Sequence, residues 1–110
     1  MREKDKKLEE TIPRLAKKLK VCGHPVRLRL LFAIASREPC VSDLSTCVDE
    51  SQPVVSQHLA VLKKEGIVSS RVRGNRRIYS VADPFVKALL TRVDGGPETR
   101  AAAAVRIGPA

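Results

Sequence analysis

Between Ser51 and Val81 the hydrophobic period of the chain switches once, and that switch constrains the fold more than any other feature. Val55, Leu59 and Leu62 are spaced by four and three residues, the repeat of one helical face. After Gly66, two short strand-like segments flank Gly74-Asn75. Only residues that tolerate positive φ turn a hairpin this tightly, so Gly74-Asn75 reads as a two-residue turn. Ser51 stands where the helix opens, and Gly66 stops it. Pro53 falls in its first turn, where the missing N–H has no intrahelical partner to lose.

Helical angles sort the side chains of this segment. Advancing roughly 100° per residue from Val55 keeps Leu59 and Leu62 within about 40° of it, which defines the buried side. Pro53, Gln57, Ala60 and Lys64 then fall within about 40° of the opposite pole, and Ser56 on the flank. His58 lies nearer the buried side, which favours a packed or hydrogen-bonded imidazole over a base reader. A helix that enters a major groove needs short or amide-bearing residues over its first turns, because bulk holds it off the bases and Gln pairs bidentately with adenine. Gln52, Ser56 and Gln57 meet that requirement.

Charge is concentrated in the same place. Lys and Arg number 21 against 12 Asp and Glu, a net charge of +9. From Lys63 to Arg77 six basic residues face Glu65 alone, whereas four basic and four acidic residues cancel over positions 1–10. Positive charge gathered on one element is the electrostatic footprint of a polyanion. Arg73, Asn75, Arg76 and Arg77, at the hairpin tip, are placed to reach phosphates or a narrow minor groove. A helix with a polar outer face beside a basic hairpin is how a winged helix-turn-helix grips a duplex.

The rest of the chain supplies a scaffold for these two elements. Leu8, Ile12, Leu15 and Leu19 form one stripe, and Thr11 with Pro13 suggests a helix start there, leaving residues 1–10 as a charged arm. A second helix is expected from Pro25 through Val26, Leu28, Leu30, Leu31, Ile34 and Ala35, ending at Arg37-Glu38-Pro39. A short third, capped by Ser42, should bury Leu44 and Val48. Asp83-Pro84 opens a last helix bearing Phe85, Val86, Leu89, Leu90 and Val93, which Gly95-Gly96-Pro97 ends. These expectations define one domain over residues 11–95, mainly α with a small β-hairpin wing, followed by a weakly ordered tail over 96–110.

Composition narrows the class. No segment reaches the roughly 18 apolar residues of a membrane span, and the N-terminus lacks an apolar signal core, so a cytoplasmic protein is expected. Three cysteines without Cys-x-x-Cys spacing do not form a secreted disulfide framework. An enzyme is not expected: Cys40 and His58 have neither an orienting third group nor a pocket. Three aromatic residues argue against a base-stacking single-strand binder. The alternative to an operator-specific repressor is a basic nucleic-acid or protein interaction module on the same fold.

In order and spacing, several motifs resemble the ArsR/SmtB family of winged-helix repressors across Leu19 to Leu90. They are His24-Pro25-x-Arg27-Leu28-x-Leu30-Leu31, Cys40-Val41-Ser42-Asp43-Leu44, Ser51-Gln52-x-x-Val55-Ser56-x-His58-Leu59-x-x-Leu62, Gly66-Ile67-Val68, Arg73-Gly74-Asn75-Arg76 and Tyr79. The resemblance implies a homodimer joined through its first and last helices, bound to double-stranded operator DNA and released by an inducer. That inducer is unknown. The family's arsenic and cadmium site, Cys-x-Cys-x-x-Cys, falls on Cys40, Ser42 and Ser45. Its zinc and cobalt site needs histidines late in the chain, and none follows His58. No metal and no cofactor are therefore expected.

The cysteines leave two readings, small buried residues or a thiol-directed switch driven by oxidant, persulfide or soft metal. Cys22 and Cys40 flank the second helix, whose twelve or so residues at about 1.5 Å each exceed the roughly 7 Å limit of a disulfide. Cys22 and Cys47 also fit apolar positions. Cys40 borders a helix N-terminus that lowers a thiol's pKa, with Glu38 opposing, which makes it the foremost candidate sensor.

Overall fold

The computed structural model describes residues 2–37 and 39–94, with five helices and one hairpin in the order α1 (Glu3–Cys22), α2 (Pro25–Arg37), α3 (Val41–Val48), α4 (Gln52–Lys64), β1 (Val68–Arg73), β2 (Arg76–Val81) and α5 (Pro84–Asp94). Leu30, Leu31, Ile34, Leu44, Val55, Leu59, Leu62, Ile67 and Val86 are its fully buried apolar side chains. With Val68 on β1 and Tyr79 and Val81 on β2 also buried, the core draws on every element from α2 to α5. Among the described residues no helix is long and apolar enough to cross a membrane. The tail expected over 96–110, the glycines that should end α5 and Glu38 lie outside the described residues.

The first helix departs from expectation. It starts at Glu3, with Pro13 inside it, so residues 3–10 are continuous with the helix rather than a separate arm. Thr11 does not cap: its Oγ1 donates to the Lys7 carbonyl one turn back, at 2.8 Å. The reason is local. Glu3 and Asp5 sit at the positive end of the helix dipole, and Glu3/Lys7 and Glu10/Arg14 have the favourable i,i+4 order. Pro13 removes one backbone donor on an exposed helix, where water serves the carbonyl of Glu9.

Two smaller corrections concern α2 and α3. In α2 the stripe buries Ala33 and leaves Ala35 exposed, because Ala35 lies well over a quarter-turn from Leu30 while Ala33 flanks it. Helix α3 is capped by Cys40 rather than Ser42. Cys40 and Asp43 form a reciprocal capping box, in which the Cys40 backbone N–H donates to the Asp43 carboxylate at 3.3 Å.

Helices α3 and α4 form the helix-turn-helix, joined by Asp49, Glu50 and Ser51. Asp49 takes a left-handed conformation with φ of 54°, and Ser51 Oγ accepts from the Val54 N–H to cap α4. At its other end Gly66 has φ of 73°, the Ile67 N–H bonds to the Leu62 carbonyl and the Gly66 N–H to that of Lys63. This is a Schellman motif, and it turns the chain directly into β1.

Strands β1 and β2 pair antiparallel from Val68 opposite Val81 to Arg73 opposite Arg76. Of the two central residues of the turn only the first, Gly74, has positive φ, as in a type II′ hairpin. The outer edge of β2 is not bare. Cys40 forms an isolated bridge to Ile78, and the Tyr79 N–H donates to the Pro39 carbonyl at 3.0 Å, so the entry to α3 covers part of that edge.

Candidate nucleic-acid interface

Burial along α4 follows the helical angles. Val55, Leu59 and Leu62 are buried, whereas Gln52, Pro53, Ser56, Gln57, Ala60 and Lys64 are exposed, and His58 is intermediate. The exposed side over the first turns therefore consists of an amide, a proline, a hydroxyl and a second amide. Such a surface lets the helix axis approach base edges and offers them donors and acceptors.

The wing continues this surface. Lys63 Nζ near the end of α4 donates to Ser70 Oγ at 2.9 Å, and Arg77 Nη1 on β2 donates to the same hydroxyl at 3.1 Å. Ser70 thereby holds two cations together at the junction of helix and hairpin. Neither cation has an acidic ion-pair partner among the described residues. Arg73 and Asn75 are exposed at the hairpin tip.

Arg76 and Arg77, adjacent in sequence, face opposite sides of the hairpin, as successive strand residues must. Arg76 turns toward the start of α3, where one Nη lies 2.8 Å from Cys40 Sγ and 3.4 Å from the Asp43 carboxylate. Arg73 and Arg76 are directly opposed in the register, a repulsive pair of like charges that Asp43 offsets.

Cys22 and Cys40 are both buried, each 5% exposed, Cys47 is packed against the core, and all three are unpaired. Burial, followed by the field of Asp83, pushes the Cys22 thiol up. At Cys40 burial and the thiol's own bond to the Asp43 carboxylate push upward, but bonds from the Ser42 hydroxyl and the Asp43 N–H, together with Arg76, outweigh them and hold the thiol below its usual range. Bonds from the Cys40 thiol and N–H, with Arg76 nearby, hold the Asp43 carboxyl low. No group of three or more His, Cys, Asp or Glu among the described residues is arranged to hold a metal ion.

Sequence reasoning missed Asp43 as the partner of Cys40 and Arg76, and Ser70 as the hinge between Lys63 and Arg77. Asp43 was visible as the third residue after Cys40, the spacing of a capping box. Ser70 carried no signal, since its role depends on how the hairpin folds back on α4.

Comparison with known proteins agrees with this geometry. Residues 24–70 match the family model described as bacterial regulatory protein, arsR family. An HTH-type transcriptional regulator of Methanocaldococcus jannaschii is 35% identical over 86 residues, covering 77% of this chain and 97% of that protein. The crystal structure of the transcriptional repressor BigR from Xylella fastidiosa superposes with a TM-score of 0.73 at 29% identity, over 86% of this chain and 95% of that one. A homodimeric winged helix-turn-helix DNA-binding domain from Mycobacterium bovis, described as a possible ArsR-family regulator, superposes at 0.66 and 25% identity, over 86% and 85%. The chain belongs to the ArsR family of winged helix-turn-helix transcriptional regulators.

Proposed function

We propose that this protein is a cytoplasmic, homodimeric repressor that binds operator DNA, with α4 reading bases and the wing holding phosphates. The observation that carries this reading is the Lys63–Ser70–Arg77 junction, which makes the polar face of α4 and the basic hairpin one surface. Gln52, Ser56 and Gln57 are the base readers, and Arg73, Asn75, Arg76 and Arg77 belong to the wing contact. The DNA-binding and dimerisation unit spans residues 11–95, with residues 3–10 lengthening its first helix.

The dimer surface is the apolar face that the monomer leaves uncovered. Leu8, Ile12 and Leu19 on α1 are 57%, 43% and 46% exposed, and Phe85 and Val93 on α5 are 42% and 66% exposed. An ion pair joins Lys18 on α1 to Asp83 at the start of α5, and Lys18 Nζ stands 6.0 Å from the Phe85 ring centroid. Five large apolar side chains on adjoining helices exceed the scattered exposure normal for a monomer and suit an isologous interface.

The signal for release is thiol-directed and enters at Cys40, a reading supported by the low-lying thiol and by its contact with Arg76 of the wing. The test is equilibrium binding of the whole protein to a duplex selected from a random library and to its scrambled counterpart at about 150 mM salt. A repressor binds the selected inverted repeat at least about a thousandfold more tightly, and a nonspecific module does not. Peroxide or a persulfide donor should release the wild type, Cys40→Ser should respond least, and stoichiometric zinc should leave the complex intact. Release of a triple Cys→Ser variant by the same agents would place the signal elsewhere.

A further inference from the structure

Arg27 and His24 stand at the crossing of α1, α2 and α4, outside both the polar face of α4 and the wing. Arg27 Nη1 donates to the Val21 carbonyl at the end of α1 at 3.2 Å, and its Nε donates to His58 Nδ1 on α4, also at 3.2 Å. One planar guanidinium thus spans the end of one helix and the middle of the recognition helix. The His24 ring lies beside that of His58, with centroids 4.7 Å apart and planes tilted by 50°. His24 Nδ1 accepts the Val26 N–H at 3.1 Å, in the manner of a cap on α2.

The Arg27–His58 hydrogen bond dictates protonation. An arginine has donors only and stays charged, so the nitrogen that meets Arg27 Nε must carry no proton. His58 is neutral when this contact is made. A proton on His58 would set N–H against N–H and place a second cation beside Arg27. The opposing field is that of Glu50, in the turn between α3 and α4. Burial first, then His24 and Arg27, hold the His58 imidazole below its ordinary range.

We infer that Arg27 is a positioning residue for DNA sequence reading, acting through neutral His58 to fix α4 against α1 and α2, so that specific binding weakens when His58 takes up a proton. The inference rests on the DNA-binding reading above and adds a dependence that reading does not require. His58 shares α4 with the base readers and immediately follows Gln57. A loosened clamp changes the angle at which Gln52, Ser56 and Gln57 are presented, while the wing cations keep their charge. Acid should therefore erode discrimination between sequences without loss of general affinity for DNA.

The experiment measures affinity of the whole protein for a library-selected duplex and for its scrambled counterpart, from about pH 7.5 down to about pH 5.5. In the wild type the ratio of the two affinities should fall about tenfold, with the scrambled duplex bound no more weakly. His58→Asn places an amide oxygen where Nδ1 stands, accepts the same bond and does not titrate, so its ratio should stay flat. Arg27→Gln should lower the ratio already at about pH 7.5. Without DNA, the imidazole NMR titration of His58 should shift upward in Arg27→Gln, a readout that a merely structural arginine far from the ring would not move.

A wild-type ratio constant with pH overturns the inference. An equal fall in His58→Asn also overturns it, by placing the titrating group elsewhere. If the selected duplex is not preferred even at about pH 7.5, the DNA-reading function itself fails, and the positioning role falls with it. An unchanged His58 titration in Arg27→Gln contradicts the proposed contact whatever the DNA results.

Discussion

The guanidinium of Arg76 lies 2.8 Å from the sulfur of Cys40, joining the wing to the first residue of the α3 capping box. This contact couples a thiol to the basic hairpin through one side chain. The arginine favours the thiolate, and the thiol and Asp43 in turn fix the arginine on the α3 side of the wing. Arg77 faces the other way, toward Ser70 and Lys63.

Arg76→Ala should raise the pKa of Cys40, because it removes a positive charge and a donor from the sulfur. The pH midpoint of Cys40 alkylation, followed by mass spectrometry, reads this independently of access, since access alters the limiting rate and not the midpoint. A midpoint that stays in place or falls would show that Arg76 does not stabilise the thiolate.

Charges placed on the exposed apolar stripes should separate the protomers. Ile12→Glu combined with Phe85→Glu is expected to sediment as a species of the 12.1 kDa chain mass, while the wild type sediments at twice that mass. Retained helicity by circular dichroism distinguishes dissociation from unfolding. A double variant that remains dimeric would move the interface away from α1 and α5.

Asp83 caps α5 by accepting the Val86 N–H at 3.0 Å and pairs with Lys18 of α1. Asp83→Ala should cost about 1–2 kcal/mol, and Asp83→Asn less because an amide still caps. Burial pushes the Asp83 carboxyl up, but bonds from Lys18 and the Val86 N–H outweigh it and leave its pKa below the ordinary value. Its contribution is therefore full above the unfolded value of about 3.9 and is lost as pH falls through the lower folded one. The gap between the thermal melts of wild type and Asp83→Ala should begin to close as pH falls below about 4, and a gap that does not narrow on further acidification would contradict the ion-pair account.

What was legible in the sequence was whatever depends on period. The buried face of α4, the cap at Ser51, the turn at Gly74 and the cap at Asp83 follow from local rules, and each stands where those rules put it. The start of α1 was misread because Pro13 was weighed as a first-turn residue, while the ion pairs and dipole of residues 3–10 sufficed to carry the helix past it. Ser42 was preferred to Cys40 as a cap on residue type, although Asp43 at the third position favoured Cys40. The opposite facings of Arg76 and Arg77 follow from strand geometry, in which successive side chains alternate. The Arg27–His58 contact had no local signal, since the partners are 31 residues apart and meet only because α2 crosses α4.

The division of labour between α4 and the wing is tested most directly by comparing Gln57→Ala with Arg77→Ala on a selected and a scrambled duplex over a range of salt. Gln57→Ala should lose about 1–3 kcal/mol on the selected duplex alone and keep the wild-type salt slope. Arg77→Ala should weaken both duplexes equally and make the slope shallower by about one unit. Equal losses on both duplexes for Gln57→Ala, or an unchanged slope for Arg77→Ala, would contradict the account.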